Sequence, residues 1–473
     1  MAPIGVDEWV ARSSERRERR SGPRGVFEQL GSRFGWWPRL ILAGLVGFAA
    51  GHVFSNVNIE NVAFNALLYA ILALGLNIAV GWAGLLDLGY IAFVGFGAYG
   101  YALLSSTALG SDGSGGAHLA AIETFPIVLV AGGLLGLVLG LVALRLTGDY
   151  LAIVTLFFGT AFMEVVNNVD PSVLGGVNGL FGLDPIHDFG RQIVSPLGYY
   201  YFALVILVVL MAVLHLLDTS RTGRAWRALR DDALAAEVMT IPISKMKLMA
   251  FSFGAAVGAL GGAIFAAQQD NVFPTNFTAN ILILIYACLV LGGVGSIAGA
   301  VLGGIVVTVA QNMLSSPTDA AYLFYGLILV ALVTRVRPWR NLAAVLVGIV
   351  ALGLVLHAIV GAISPQAVAG SAGSAGWIGS VVDHWVIVPA NPATYGNILY
   401  VVTICMLILL VQLKGVRRQI AIVPTVYIAA CCWESRLIVN PAITAQIMLG
   451  AILIVTMAAR PEGLLGSKRI ETA

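Results

Sequence analysis

Fourteen apolar runs follow one another along this chain, each close to the length needed to cross a hydrocarbon layer of roughly 30 Å. They are 40–56, 62–82, 85–107, 126–144, 151–167, 199–217, 248–266, 279–293, 296–313, 321–336, 341–363, 394–412, 419–435 and 441–459. Backbone entering hydrocarbon must satisfy its own N–H and C=O groups, so such runs are expected to be helices, and the chain an all-α polytopic membrane protein. Composition agrees: 59% of residues are hydrophobic and 11% charged, against roughly 25% charged in ordinary soluble domains. The net charge of +2 points to no nucleic-acid partner and no acidic substrate.

The positions of the cations orient the runs. With the amino terminus inside, alternating crossings put 24 of the 26 Lys and Arg on the cytoplasmic side. These are eight in 1–39, Arg145, six in 219–247, Arg335, Arg337 and Arg340, then Lys414, Arg417 and Arg418, then Arg460, Lys468 and Arg469. Only Arg191 and Arg436 fall outside. This asymmetry predicts a multi-pass protein of the inner (cytoplasmic) membrane with both termini cytoplasmic and with 109–125, 168–198 and 364–393 outside. It also retains 419–435 despite its length and Pro424, because losing that span would move Arg460, Lys468 and Arg469 outside. Residues 1–39 carry five acids beside their eight cations and no apolar run. They are expected to be a retained, disordered cytoplasmic tail rather than a secretory signal.

The stretch 81–100, GWAGLLDLGYIAFVGFGAYG, holds six glycines and one carboxylate. Glycine weakens a helix, and irregular backbone survives at membrane depth only where protein covers it or a wet cavity adjoins it. A broken helix beside the translocation path is therefore expected here, with Asp87, Gly89, Gly95 and Gly97 as path residues. Asp87 has a second reading, as a helix N-cap at the cytoplasmic interface. Gly132, Gly136 and Gly140, then Gly254, Gly258 and Gly262, then Gly295, Gly299 and Gly303 recur at four-residue steps, the spacing that lets helices pack closely in lipid. The sequence Gly292-Gly293-Val294-Gly295 separates either two spans or two halves of a broken pair.

Other polar positions are few. Glu164 with Asn167–Asn168, and Gln268–Asn271, read as solvated rims or docking surfaces, and His215 and His357 as hydrogen-bonded helix residues. The cysteines Cys288, Cys405, Cys431 and Cys432 lie in or beside apolar runs without CxxC spacing and read as packing residues. No metal-ligand spacing or Ser/His/Asp arrangement stands out, and no cofactor is expected.

The long cytoplasmic loop SRTGRAWRALRDDALAAEVMTIPISKMK (220–247) is different in kind. Arg221, Arg224, Arg227 and Arg230 lie at three-residue steps, which drift slowly around a helix and make a basic stripe. Asp231, Asp232, the helix-forming DALAAEVM and Pro242 follow. Such a stripe fits anionic lipid head groups, or the short helix between two spans fits a groove on a soluble partner.

Six motifs in order now make the chain resemble a known family. They are GLNIAVGWAGLLDLGYIAFVGFGAYGYALL (75–104), LTGDYLAIVTLFFG (146–159), GGVNGL (175–180), GRAWRALRDDALAAEVMTI (223–241), LVLGGVGSIAGAVLGG (289–304) and ARPEGLLG (459–466). Together they look like the LivM-like permeases of branched-chain amino acid ABC importers. The resemblance implies an ABC importer permease bundle with broken glycine-rich spans. Its implied partners are a second homologous permease subunit, two cytoplasmic ATPase subunits, an extracytoplasmic substrate-binding protein and membrane lipid. It also implies that 223–241 is the ATPase coupling helix, carried by Arg224, Arg227, Arg230, Ala235, Ala236 and Thr240. Similar permeases often have glycine where this chain has Thr240, which leaves the end of that helix an open question. The form GLLDLG around Asp87 is like the amino-acid members rather than urea or amide permeases with serine there.

The chain itself lacks the means to hydrolyse ATP. A phosphate-binding loop needs Gly-Lys-Ser/Thr, and none of the four lysines follows a glycine, so the chain reads as a transport subunit and not an enzyme. An ATP-independent secondary transporter is the rival, but those usually carry intramembrane charges and an inverted repeat. FYGLILVALVTRVRP (324–338) already resembles the family's last span, yet the full ending comes only at 459–466. The expected division is thus a permease core at 40–337, an additional membrane segment at 338–440, and a final span with cytoplasmic end at 441–473. Within the addition, the Gly/Ser/Ala-rich stretch 364–380 is expected to be external and mobile.

Overall fold

Among the described residues, each of the fourteen apolar runs is wholly or mostly helical, as the cost of unpaired backbone in hydrocarbon requires. The computed structural model describes residues 36–53, 57–106, 117–144, 146, 148–188, 191–336, 339–374, 376–413, 415–439, 441–459 and 463–465. The tail 1–35, the loop 107–116, and Arg145, Arg337, Pro338, Lys414, Arg460, Pro461, Lys468 and Arg469 lie outside the described residues. The first helices are α1 (Trp36–Val53), α2 (Val57–Leu76), α3 (Tyr90–Leu104), α4 (Ala121–Ala143), α5 (Asp149–Asn168) and α6 (Pro196–Thr219). Two short helices, α7 (Arg221–Asp231) and α8 (Ala233–Val238), precede α9 (Ile243–Gln269), α10 (Ala279–Gly292) and α11 (Ile297–Ser315). Then come α12 (Pro317–Arg335), α13 (Trp339–Ile363), α14 (Gly376–Asp383), α15 (Pro392–Gln412), α16 (Gly415–Val439) and α17 (Pro441–Ala459). Among the described residues, ten helices are long and apolar enough to cross a membrane. The protein is an all-α polytopic membrane protein.

The helices form two compact units, Met1–Gly304 with Leu465–Ala473, and Ile305–Leu464. In the first, α9 is the central helix, and glycine decides its neighbours. A Cβ at Gly132 or Gly136 of α4 would lie 2.3 or 2.5 Å from the Cβ of Ala259 or Ala255. A Cβ at Gly262 would lie 1.8 Å from the Val94 carbonyl of α3. The two glycine rows thus let α9 reach the contact distances that dispersion requires where no hydrophobic drive exists between helices. Tyrosine hydroxyls tie off carbonyls across the same bundle: Tyr199 donates to Ala267 at 2.8 Å and Tyr200 to Gly47 at 2.7 Å. At one end of the unit, β1 (Leu180–Phe181) pairs antiparallel with a later two-residue strand, Asn271–Val272.

At the opposite end α2 does not stop cleanly. Residues Asn77–Trp82 form a widened π turn and Ala83–Gly89 is non-helical before α3 begins. α10 ends at Gly292 and α11 begins at Ile297, with Gly293 and Gly295 at φ of 122° and 89°. Side-chain-bearing residues rarely adopt these angles. Gly292 lies against the Gly299 carbonyl and Gly303 against the Cys288 carbonyl, so α10 and α11 fold back on one another as a close-packed pair.

In the second unit α16 packs along α15 and α13. Its Glu434 is fully buried and accepts hydrogen bonds from the Tyr325 hydroxyl at 2.8 Å, the Ser374 hydroxyl at 2.7 Å and the Ser374 N–H at 2.8 Å. The Gly370 N–H donates to Val388 at 2.9 Å, the Ala372 N–H to Asp383, and the Trp377 indole to Tyr322 at 2.8 Å. Composition suggests a mobile stretch at 364–380; in the structure its residues Gly370, Ala372, Ser374 and Trp377 are hydrogen-bonded into the unit. Its small residues allow close approach: a Cβ at Gly373 would meet the Glu434 carbonyl at 2.6 Å.

Candidate translocation path and coupling loop

The glycine-rich stretch is built around contacts to its neighbours. Asp87 is buried, and its Oδ1 accepts the Gly89 N–H at 3.0 Å, closing a local turn just ahead of α3. Its carbonyl accepts the Tyr286 hydroxyl of α10 at 2.7 Å. The adjacent Leu88 N–H donates to Thr155 Oγ1 of α5 at 2.9 Å. A Cβ at Gly89 would lie 2.3 Å from the Thr155 carbonyl, one at Gly95 2.3 Å from the Phe162 ring, and one at Gly97 1.9 Å from the Ala259 carbonyl. All four residues thus occupy helix contacts or a local turn, with α5, α9 and α10 as their neighbours.

The loop after α6 divides into an inward and an outward face. On α7, Gly223, Trp226 and Leu229 are buried while Arg221, Arg224 and Arg227 are exposed. Arg224 donates to the Thr219 carbonyl at 2.7 Å, and Arg227 pairs with Asp218. Each three-residue step lags a full turn by about 60°, so after three steps Arg230 stands about 180° from Arg221. It is half-buried, and its guanidinium donates to the Gly81 carbonyl. Trp226 stacks on Trp82 with centroids 6.1 Å apart, and its indole donates to Met246 at 2.8 Å.

Asp232 caps α8 by accepting the N–H groups of Leu234 at 2.9 Å and Ala235 at 3.0 Å. Ala236 is turned inward, 4% exposed, whereas Leu234, Val238 and Met239 are 76%, 82% and 75% exposed. Ala235 is also exposed. Thr240 sits at φ 64° while the Ile241 N–H bonds back to the Ala236 carbonyl at 3.1 Å. That is the left-handed helix ending in which glycine is usual. The threonine keeps the glycine geometry, which answers how α8 ends.

Residues that sequence reasoning passed over complete this end of the unit. Asn77 Oδ1 accepts the Gly295 N–H at 2.8 Å, the Trp82 indole donates to the Gly295 carbonyl at 3.2 Å, and the Leu465 N–H donates to Gly292 at 2.9 Å. A lone asparagine in an apolar run and a Gly-Trp-Leu row opposite the arginines were the signals available. Of the remaining candidates, Glu164 accepts the Asn168 side chain at 3.2 Å on an exposed face of α5. His215 stacks on Trp36 at 3.7 Å, and His357 bonds the Val386 carbonyl at 3.0 Å. Among the described residues no group of His, Cys, Asp or Glu is arranged to hold a metal ion, and the four cysteines are unpaired.

Broken, glycine-packed helices with an amphipathic loop between two spans fit a membrane permease, and the class is given by sequence comparison. The chain belongs to the family described as branched-chain amino acid transport system, permease component, which matches residues 58–333. It is 32% identical over 331 residues to the high-affinity branched-chain amino acid transport system permease protein LivM of Escherichia coli K12, covering 64% of this chain and 70% of that one. The LivM of Salmonella typhimurium is 33% identical over 304 residues, 59% of this chain and 68% of its own. The corresponding permease protein BraD of Pseudomonas aeruginosa is 26% identical over 283 residues, 56% and 89%. No solved structure matches the chain.

Proposed function

We propose that this chain is the membrane subunit of an ATP-driven importer of branched-chain amino acids, lining the path and taking its energy from partner ATPases. The observation that carries the energy-coupling part is α8. Leu234, Val238 and Met239 stand free on a short capped helix beside the exposed Arg224 and Arg227, a surface made for a groove on a soluble protein. The cation distribution supports a cytoplasmic position for this end, where an ATPase would be. The exposed face of α5 carries Thr160 and Glu164, polar groups expensive to leave facing lipid. A second, homologous permease would cover that face, with α3 bordering the path between them, and an extracytoplasmic binding protein would deliver substrate. Residues 40–337 form the core in this reading and 338–440 an addition to it.

The test is reconstitution of the chain with its partners in liposomes. Radiolabelled leucine should accumulate only with ATP and binding protein present. Accumulation driven by an ion gradient without ATP would indicate a secondary transporter, and urea carried in place of leucine would move the chain to the amide-transporting branch.

A further inference from the structure

The arginine at the end of α7 does not face outward with the rest of the basic stripe. It reaches into the two places where the membrane helices are broken. Its guanidinium donates to the Gly81 carbonyl in the π turn that ends α2. Gly84, at φ 70°, packs on the Arg230 stem, since a Cβ there would lie 3.0 Å from Arg230 Cγ and 3.2 Å from its Cα. Gly295, at φ 89° in the break between α10 and α11, lies beneath the guanidinium: a Cβ there would be 2.7 Å from Nη1. The breaks are joined to each other by Asn77 and Trp82, both bonded to Gly295. Trp226, one turn before Arg230, stacks on Trp82 from the same helix. One cation at a helix end, where carbonyls lack partners and the dipole is negative, thus fastens the loop to a single knot of backbone. Only Asp231 and Asp232 separate it from α8.

We propose that Arg230 is a positioning residue for energy coupling: it converts a displacement of α8 into a joint displacement of the α2–α3 and α10–α11 breaks. This inference rests on the reading of α8 as the ATPase-docking helix. Glycine at 84 and 295 serves it twice, by taking the left-handed backbone and by leaving room for the arginine. Arg227 has no such role, since it pairs with Asp218 at the end of α6 and reaches neither break.

The test uses the complete complex in liposomes, with leucine taken up per ATP hydrolysed and the amount of ATPase retained on the permease both measured. Loss of a charge-assisted hydrogen bond in Arg230→Met should lower uptake per ATP about tenfold while the ATPase stays bound. Arg230→Lys, which keeps a cation within reach of Gly81, should recover part of the loss. Gly295→Ala, which pushes the guanidinium aside with Arg230 still present, should uncouple in the same way and carries the test if Arg230→Met does not assemble. Val238→Glu should behave differently and release the ATPase. An unchanged ratio in Arg230→Met or Gly295→Ala overturns the proposal, as does release of the ATPase by Arg230→Met, which would make Arg230 part of the docking surface. If Val238→Glu keeps its ATPase and full uptake, the docking reading itself falls and the linkage falls with it.

Discussion

At Gly97 a single hydrogen stands where any other residue has a carbon, and the backbone of Ala259 already fills the place. Overpacking of this kind costs about 1–3 kcal/mol, more where the obstacle is backbone that has no rotamer to change. Gly97→Ala is expected to lower the thermal stability of the purified permease by at least that amount, whereas Gly326→Ala in α12, which meets nothing within 4 Å, should be neutral or slightly stabilising. Equal effects at the two positions would mean that the α3–α9 contact is not close-packed. Thr240 presents the opposite case, a side chain where glycine belongs. A non-glycine residue in the left-handed region costs roughly 1–2 kcal/mol, so Thr240→Gly should slow hydrogen exchange at the Ile241 amide by stabilising the end of α8. Faster exchange would show that the threonine hydroxyl, which donates to Met239 at 2.7 Å, outweighs the strain.

Among the elements, α7 and α8 show how one amphipathic segment serves two surfaces. The row Gly223, Trp226, Leu229 seats α7 on the bundle, and Asp232 turns the chain so that α8 presents its apolar side outward. Ala236 faces in, so a bulky charge there disturbs the seat of the loop, and Ala235 or Val238 is the position that tests docking. α16 carries a different device. Its buried Glu434 gathers two hydroxyls and an amide from distant parts of the second unit. Glu434→Ala would leave those donors unsatisfied at about 1–3 kcal/mol each. Hydrogen exchange around Ser374 should then rise sharply while α9 in the other unit is unaffected. Unaltered protection at Ser374 would mean that the remaining bonds of the loop suffice to hold it.

For the whole molecule the outstanding quantity is orientation, and its expected sense rests on the sequence pattern, in which alternating fourteen candidate spans would put 24 of the 26 cations on one side. Cysteine labelling reads it directly. Ser374 is buried against Glu434 and makes a poor probe, but Ser371 and Ser244 are exposed. In a background without the exposed Cys405, an impermeant thiol reagent added to intact cells should modify Ser371→Cys and spare Ser244→Cys. The reverse pattern would invert the protein and remove the cytoplasmic placement of α8. Labelling of both positions would break the parity argument that keeps α16 as a span.

That the apolar runs are helices was legible in the sequence, as was an expected orientation, because hydrocarbon permits no unpaired backbone and cations cross a membrane poorly; both constraints act on each segment separately. So was the location of the amphipathic loop proposed for coupling, where polar residues interrupt the apolar pattern between α6 and α9. Tertiary structure decided what each small or charged residue does within that plan. Gly95 and Gly97 are read from the sequence as residues beside a path, but only the fold names Phe162 and Ala259 as what approaches them. The drift of the arginines was readable too, yet which one turns inward depends on which face of α7 meets the bundle, and that is set by Trp82 and Gly295, distant in sequence. Composition suggested a mobile loop at 364–380 because small residues carry little packing information of their own. The bonds that Ala372, Ser374 and Trp377 make there go to Asp383, Glu434 and Tyr322, whose positions only the folded chain supplies.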